Sequence, residues 1–370
     1  MTPQGSRLDV AVIGAGAIGG YYGGRLARAG HRVHFMARSS AEALREHGLT
    51  VLSSSGDFRV DRPLVYASAA DLPPCDLVLV ATKATGNDAV LPALGSAVRP
   101  GTALVAMQNG LGAEERLAAC YPQAAVFAGL CFICSFRDAR PWIIHHVAYG
   151  LASLAPLTAV APPETIPAQT LQEAAPSTQT APLEAVAPAT AGAPSDLQPD
   201  SGPGAPLDRE GRPTPGRAPG LTVLELAAIF REAGIETEVL GAALEARWRK
   251  LVWNIPFNGL SVVLDATTGD LSGSPAARAA ILALMQEVIG AAAAGGIAIE
   301  PDFAVKMLGT TDSMAAYNPS MRLDCLARRP MEIEAIYWNP IRWAAARGRE
   351  MPGCALLARQ LEHRQSLYRP

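Results

Sequence analysis

The chain has 370 residues, of which 49% are hydrophobic and 18% are charged, and its formal net charge is −3. That length is enough for two domains with a buried core in each. The hydrophobic content is too high for a wholly disordered chain. The near-balanced charge lacks the basic excess of a nucleic-acid-binding protein, so we expect no nucleic-acid partner.

No segment is typical of a membrane span. The longest apolar stretch, residues 124–136, contains Gly129 and Ser135, whereas a span needs about 20 apolar residues. The N-terminus does not lead into a signal-peptide core, so we expect a cytoplasmic protein with reduced cysteines. Cys131 and Cys134 form a C-x-x-C within an apolar, strand-like run. A redox pair usually stands at a helix N-terminus, so these two are interpreted as strand cysteines.

Strand and helix patterns alternate over the first 150 residues. The predicted elements are a strand at Val10–Ile13, a helix at Ile18–Ala29 capped by Gly30, and strands at Arg32–Met36, Asp76–Thr82 and Ala103–Met107. Their nearly continuous apolar character is typical of parallel strands covered on both faces. The pattern predicts an α/β fold with a doubly wound parallel sheet. Residues Trp142–Leu154 predict one or two later strands that turn at Tyr149 and Gly150.

The composition changes abruptly at residue 156. The segment 156–220 holds 14 of the 30 prolines and no aromatic residue. Such a composition buries too little apolar surface to offset the entropy of the chain, so the segment is predicted to be a disordered insertion. Beyond it we expect a helix at Leu221–Ala233 and a strand at Glu236–Leu240.

From Leu244 onward the patterns are helical, and Ala276–Ala294 and Pro330–Arg347 are the strongest helices. The predicted organisation is therefore an α/β domain from residues 1–155 and 221–240, the insertion 156–220, and an all-α domain from 241–370.

A glycine-rich turn joins the first strand to the first helix. The stretch Gly14-Ala15-Gly16-Ala17-Ile18-Gly19 is a G-x-G-x-x-G. Its first glycine allows the tight turn, its second lets a pyrophosphate approach the backbone, and its third lets helix and strand pack closely. The free N–H groups of the helix N-terminus favour phosphate. These features predict a Rossmann-type dinucleotide-binding domain.

The end of the second strand indicates which dinucleotide is bound. An NAD site usually places Asp or Glu there for the ribose hydroxyls. This chain has Arg38 and no acidic residue before Glu42. We therefore expect NADP(H), with Arg38 on the 2′-phosphate, although a solvated surface arginine is the alternative.

A polar stripe marks the start of the helical domain. At 100° per residue, Lys250, Asn254 and Asn258 fall within roughly 80° on a helix that is otherwise apolar. Pro256 should kink that helix. Buried polar groups need partners in the protein or in a ligand. A lysine with a lowered pKa can donate a proton, but a surface lysine beside two structural asparagines remains open.

Motifs across nearly the whole chain outside the insertion resemble the ketopantoate reductase family. They are Gly14–Gly19, Ala81-Thr-Lys83, Gln108-Asn109-Gly110, Ile144-His-His146, Trp248-Arg-Lys250-Leu-Val-Trp-Asn254, Asn258, Pro319-Ser320-Met321 and Glu332-Ile-Glu334. The resemblance implies a Rossmann domain and a helical domain with the active site between them. It also implies reduction of ketopantoate by NADPH.

The resemblance also implies roles for individual residues. Lys250 would be the proton donor and Glu332 the active-site glutamate. The substrate would be held by Asn109, Asn254, Asn258 and Ser320. The cofactor would be contacted by Gly14, Ala15, Gly16, Ala17, Ile18, Gly19, Arg38, Lys83, Asn109, Ser135 and Glu332. No metal site is expected.

Two departures from the family pattern bear on the substrate. Thr267-Thr268-Gly269-Asp270 stands where the family often has an asparagine, and Tyr337 and Trp338 bring large aromatics near the expected cleft. Three hypotheses remain: a ketopantoate reductase, an NADPH-dependent reductase of a different, bulkier 2-oxo acid, and a non-catalytic NADPH-binding sensor. In each, the partner is a small molecule rather than a membrane, and a homodimer is an open alternative.

Overall fold

The computed structural model describes residues 7–157 and 220–368. Residues 158–219, which form nearly all of the predicted insertion, lie outside the described part, so the prediction of disorder stays untested. Leu157, the last described residue before this segment, donates its N–H to the Val126 carbonyl oxygen at 3.0 Å.

The described residues contain ten strands in a single sheet. They are β1 (Asp9–Ile13), β2 (Arg32–Met36), β3 (Leu49–Ser53), β4 (Phe58–Val60), β5 (Leu64–Tyr66), β6 (Leu77–Val80), β7 (Ala103–Ala106), β8 (Ala125–Arg137), β9 (Ile143–Pro156) and β10 (Thr237–Val239). The order is β4-β3-β9-β8-β7-β6-β1-β2-β5, and β10 pairs with β9. The six strands from β5 to β8 along this order are parallel, as predicted. Antiparallel pairing of β9 with β8 and of β4 with β3 makes the whole sheet mixed.

The central strands are buried on both faces. In β1, Val10 and Val12 join the core under α1, while Ala11 and Ile13 join the core on the opposite face. Successive strand residues point to opposite faces, so a strand covered on both sides must be apolar throughout. This explains why the short apolar runs of the sequence predicted parallel strands correctly.

The predicted turn at Tyr149 and Gly150 is wrong. Strand β9 runs through both residues without reversing, and they adopt positive φ values of 66° and 127°. The register with β8 shifts at this point, between Phe132 and Ile133. The positive φ values therefore belong to a bulge, which bends a strand locally without ending it.

Twelve α-helices surround or follow the sheet within the described residues. They are α1 (Ala17–Arg28), α2 (Ala41–His47), α3 (Asn87–Val90), α4 (Ala113–Cys120), α5 (Val223–Glu232), α6 (Ala243–Val263), α7 (Thr268–Gly273), α8 (Pro275–Ala294), α9 (Phe303–Asp312), α10 (Ser320–Leu326), α11 (Asn339–Ala345) and α12 (Pro352–Ser366). Short 3-10 helices occupy Ala69–Asp71, Ala84–Gly86 and Leu91–Ser96. Between residues 241 and 368 the structure has no strand, in agreement with the helical patterns of the sequence.

The helix predicted at Pro330–Arg347 starts later and is not regular. A π-helical turn at Glu334–Trp338 precedes α11, and the Asn339 N–H donates to the Glu334 carbonyl oxygen. Pro340 has no N–H to offer to the carbonyl four residues before it. A π-turn next to this proline adds one residue to the helical turn. The side chains in it therefore face directions that a regular α-helix would not give them.

Helix α8 lies in the core of the helical part. It is the one helix among the described residues that is long and apolar enough to cross a membrane by length and composition. Eight of its residues, among them Ile281, Met285 and Val288, are buried against the other helices. A core helix passes the same test as a membrane span, so this feature alone is weak evidence for a membrane.

A buried ion pair joins α6 to the sheet. The Arg247 Nε donates to the Glu114 carboxylate at 2.9 Å, and both side chains are 3% exposed. The same guanidinium donates to the carbonyl oxygens of Ala106 and Gln108, at the carboxyl end of β7. Four hydrogen bonds from one guanidinium to these three acceptor groups fix the helix at this edge of the sheet.

We expect Glu114→Gln to lower the free energy of unfolding by about 3 kcal/mol, since the change leaves a buried guanidinium without its counter-charge. Urea denaturation measures the change. The control is Asp312→Asn, which removes the half-exposed pair with Arg278 and should cost less than about 1 kcal/mol. Equal losses in the two variants would show that the buried ion pair contributes no more to the free energy of unfolding than the half-exposed pair does.

Candidate active site

The glycine turn between β1 and α1 is built by close backbone packing. Gly14 has a φ of 99°, and a Cβ there would lie 2.9 Å from the Thr82 backbone nitrogen. A Cβ on Gly19 would lie 2.1 Å from the Gly14 carbonyl oxygen. The Ala15 N–H donates to the Met36 carbonyl oxygen at 3.3 Å, which ties the turn to the end of β2. Neither glycine can therefore be replaced without moving the helix.

Gly16 differs from its two neighbours in the motif. A Cβ on Gly16 would meet nothing within 4 Å, so the space before it is open. Gly16 is the N-cap of α1, and Ala17 and Ile18 follow in the first turn. The first N–H groups of a helix have no partner inside the helix and favour an anion. The turn thus presents open space and free donors at the same point.

Arg38 stands two residues beyond the end of β2. Its side chain is exposed and makes no hydrogen bond or ion pair with another residue in the described part of the chain. The structure does not bring it into contact with Lys250 or Glu332. The Arg38 guanidinium is therefore available to an anionic group at the carboxyl ends of β1 and β2, where the glycine turn lies.

Lys250 lies at the junction of α6 and β8. Its Nζ donates to the Cys131 carbonyl oxygen at 2.8 Å and stands 5.1 Å from the centre of the Phe132 ring. Burial lowers the pKa of Lys250 to about 8, and the nearby Arg247 adds to that effect, while Glu332 opposes it. The lysine is therefore mostly charged at neutral pH, yet it releases its proton more readily than a surface lysine does.

The two asparagines of the stripe lie on the same helix and are both buried. The Asn258 side-chain oxygen accepts the Met321 N–H at 3.4 Å, at the start of α10. The Asn254 side chain has no hydrogen-bond partner among residues 7–157 and 220–368, although it is only 5% exposed. An amide without a partner in this part of the chain, one turn from Lys250, is suited to hydrogen bonding with a ligand.

Ser320 is exposed as the first residue of α10. The residue after it, Met321, is the one bonded to Asn258, so Ser320 stands next to the stripe. Ser135 lies on β8, and its buried hydroxyl has no partner in the structure. The structure thus places Ser320 with the asparagines and gives no contact that joins Ser135 to them.

Glu332 lies between the two parts of the chain. Its carboxylate accepts the Ala84 N–H at 2.9 Å. Burial raises the pKa of Glu332, whereas the Ala84 N–H, the Lys83 ammonium and the Asn109 side chain lower it. The carboxylate is thus near Lys83, Asn109 and Lys250, and these four predicted residues form one electrostatic cluster.

The loops that follow β6 and β7 are fixed by Gln108, which belongs to one of the sequence motifs, and by Asn87, which the sequence did not single out. The Gln108 and Asn87 side chains exchange two hydrogen bonds, and Gln108 also donates to the Thr82 carbonyl oxygen at 2.8 Å. The Leu111 N–H donates to the Ala335 carbonyl oxygen at 2.9 Å. Asn109 is therefore held between two anchored neighbours.

The composition of the chain carries a further signal for the site. The chain has 31 basic residues, but only Lys83, Lys250 and Lys306 are lysines. Two of these three belong to the cluster around Glu332. In a chain that uses arginine almost everywhere, a lysine marks a position where a compact charge or an adjustable pKa is needed.

Neither a redox pair nor a metal centre is present among the described residues. All six cysteines are free, and burial raises the pKa of both Cys131 and Cys134, which disfavours the reactive thiolate. No group of three or more His, Cys, Asp or Glu residues in the described ranges could hold a metal ion.

Comparison with known proteins assigns the family. The Ketopantoate reductase PanE/ApbA family matches residues 10–158, and its C-terminal domain matches residues 242–365. A 2-dehydropantoate 2-reductase of Nostoc sp. is 34% identical over 355 residues, which cover 95% of this chain and 93% of the relative. This chain belongs to the ketopantoate reductase family.

Solved structures agree with that assignment. The 2-dehydropantoate 2-reductase of Geobacter metallireducens is 32% identical, with a TM-score of 0.75 over 96% of this chain and 99% of that one. A D-mandelate dehydrogenase solved with NADH and anilino(oxo)acetate reaches a TM-score of 0.74 at 18% identity, over 97% and 99% of the two chains. The latter similarity shows the fold alone.

The residues that depart from the ketopantoate reductase pattern have hydrogen-bond partners in the described part of the chain. The Tyr337 side chain is fully buried in the helical core, and its hydroxyl donates to the Ile255 carbonyl oxygen at 2.7 Å. The Trp338 Nε1 donates to Glu362 on α12. The Thr268 hydroxyl accepts the Tyr317 N–H at 3.0 Å. All three side chains are engaged within the protein, and the aromatic beside Lys250 is Phe132.

We expect the stability difference between wild type and Lys250→Met to depend on pH. Because the pKa of Lys250 is about 8 when folded and 10.5 when unfolded, the unfolded state binds more protons between these values. The contribution of the lysine to the free energy of unfolding therefore rises from pH 8 to 10.5. Urea denaturation across this range measures the slope, with Lys306→Met as control. A constant difference would contradict the lowered pKa.

Proposed function

We propose that this chain reduces 2-dehydropantoate to pantoate with NADPH, and that Lys250 donates the proton. The proposal rests on the surroundings of the Lys250 ammonium. Its Nζ donates to the Cys131 carbonyl oxygen, and Glu332 lies close enough to affect its pKa. One turn further along α6, the buried Asn254 side chain has no hydrogen-bond partner among the described residues. Membership of the family supports the reaction class, and the 34% identity to a 2-dehydropantoate 2-reductase supports the substrate.

The residues of the α/β part fit a dinucleotide. Open space before Gly16 and the free N–H groups of α1 suit a pyrophosphate. The Arg38 side chain has no hydrogen-bond or ion-pair partner among the described residues, so it suits the 2′-phosphate that distinguishes NADPH from NADH. When bound, the reduced nicotinamide supplies a hydride to the ketone carbon.

The proton comes from the helical part. As the carbonyl carbon accepts the hydride, negative charge grows on its oxygen, and the Lys250 Nζ gives that oxygen its proton. A cation beside the oxygen stabilises a charge that exists mainly in the transition state, so it accelerates the reaction rather than only binding substrate. Glu332 favours the charged form of the lysine, so the proton is in place at neutral pH.

The polar stripe suits the rest of the substrate. The Asn254 amide has no partner within residues 7–157 and 220–368, and Ser320 is exposed beside the Asn258–Met321 hydrogen bond. Amides and a hydroxyl are donors for the carboxylate and the hydroxyl of a 2-oxo-4-hydroxy acid. We assign Asn109, Asn254, Asn258 and Ser320 to the substrate on this basis.

We expect Lys250→Ala to lower kcat for ketopantoate by about 10²–10⁴-fold, the range for losing a positioned proton donor. NADPH binding, followed by its fluorescence, should be kept. Lys306→Ala, which changes an exposed lysine of α9, is the control. Wild-type kcat/KM is compared across ketopantoate and bulkier 2-oxo acids. A low rank for ketopantoate would favour another 2-oxo acid, and tight NADPH binding without turnover of any of them would favour a sensor.

We expect Arg38→Ala to weaken NADPH binding much more than NADH binding, because only NADPH carries the 2′-phosphate. The dissociation constants are measured for both dinucleotides. Arg62→Ala is the matched control, since this exposed arginine precedes the parallel strand β5 and so lies at the opposite edge of the sheet. An equal effect of Arg38→Ala on both dinucleotides would remove Arg38 from the site.

A further inference from the structure

Asp324 on α10 is a buried acid that holds two cations. Its side chain is only 3% exposed, and its two oxygens bind the Lys83 ammonium and, at 3.0 Å, the Arg329 Nε. A buried carboxylate is tolerated only when it is paired. Arg329 belongs to the turn that follows α10, whereas Lys83 follows β6, 241 residues away in sequence. Asp324 therefore connects the helical part to the α/β part.

A second contact lies next to the first. The residue after Lys83, Ala84, donates its N–H to Glu332 at 2.9 Å. Two consecutive residues of one loop are thus bound to two carboxylates of the helical part. The loop after β6 is therefore held through the Lys83 side chain and through the Ala84 backbone N–H.

We propose that Asp324 is a positioning residue that sets where the Lys83 ammonium stands and so presents it to the dinucleotide. A free lysine side chain samples many rotamers, and a ligand that binds it must otherwise overcome the entropy lost in ordering it. The ammonium has three donors, so it can keep Asp324 and still bind a ligand oxygen. The inference rests on the proposed function only in naming the ligand that Lys83 meets.

The test is a double-mutant cycle on NADPH affinity. We expect Asp324→Asn to raise the dissociation constant about tenfold, as for the loss of a charge-assisted contact. In a Lys83→Gln background, Asp324→Asn should raise the dissociation constant by less than about twofold, because the effects of coupled residues are not additive. Asp324→Glu should recover part of the affinity. Equal effects in both backgrounds would overturn the proposal.

Arg329→Gln is the matched control. It removes the other cation of Asp324 and leaves the Lys83 pair in place, so NADPH affinity should stay near wild type. If it weakens NADPH as much as Asp324→Asn does, Asp324 only stabilises the end of α10 and the proposal fails.

A second readout needs neither cofactor nor a change at the buried acid. In ligand-free Lys83→Gln, the Ala84 amide should exchange its hydrogen at least several-fold faster than in wild type, because the loop has lost one of its two contacts. Unchanged exchange at Ala84 would overturn the proposal. Because this measurement uses no substrate, it is separate from failure of ketopantoate turnover, which would count against the proposed function alone.

Discussion

The site depends on one buried guanidinium. Arg247 lies three residues before Lys250 on α6 and reaches the carboxyl end of β7, where it binds Glu114 and the carbonyl oxygens of Ala106 and Gln108. This contact fixes the rotation of α6, so Lys250 meets the Cys131 carbonyl on the next strand, β8. The same charge also lowers the pKa of Lys250. One residue thus docks the helix and adjusts the pKa of Lys250.

The helical part also receives the loops after β6 and β7. A Cβ on Gly110 would lie 2.2 Å from the Ala335 carbonyl oxygen, and Asn339 donates to the Leu111 carbonyl oxygen at 2.7 Å. Ligands of open α/β sheets bind outside the carboxyl ends of the strands. Here the π-turn before α11 packs against that edge, which explains why Asn109 and Glu332 lie in contact although they are far apart in sequence.

Much of this arrangement could be predicted from the sequence. Features set by local patterns were predictable, whereas features set by contacts between residues far apart in sequence were not. The glycine turn and the stripe of α6 are local patterns with a fixed period, so Gly16 and Lys250 could be found from sequence. Arg247 and Asp324 could not, because their partners lie 133 and 241 residues away and nothing local requires them. Tyr337 lies in a π-turn, which hydrophobic periodicity does not reveal, and its side chain is fully buried in the helical core.

Burial has opposite consequences for the two ionisable groups at the centre of the site. It lowers the pKa of Lys250 and raises that of Glu332, so the two values move towards each other and towards neutrality. The Glu332 charge opposes the shift of Lys250, and the Lys83 ammonium opposes the shift of Glu332, so the lysine stays mostly protonated at neutral pH. Burial is the main cause of both shifts, and both side chains come from the helical part and bond to the α/β part, Lys250 to the Cys131 carbonyl oxygen and Glu332 to the Ala84 N–H. The acid–base properties of the site therefore belong to the packed arrangement and not to either part alone.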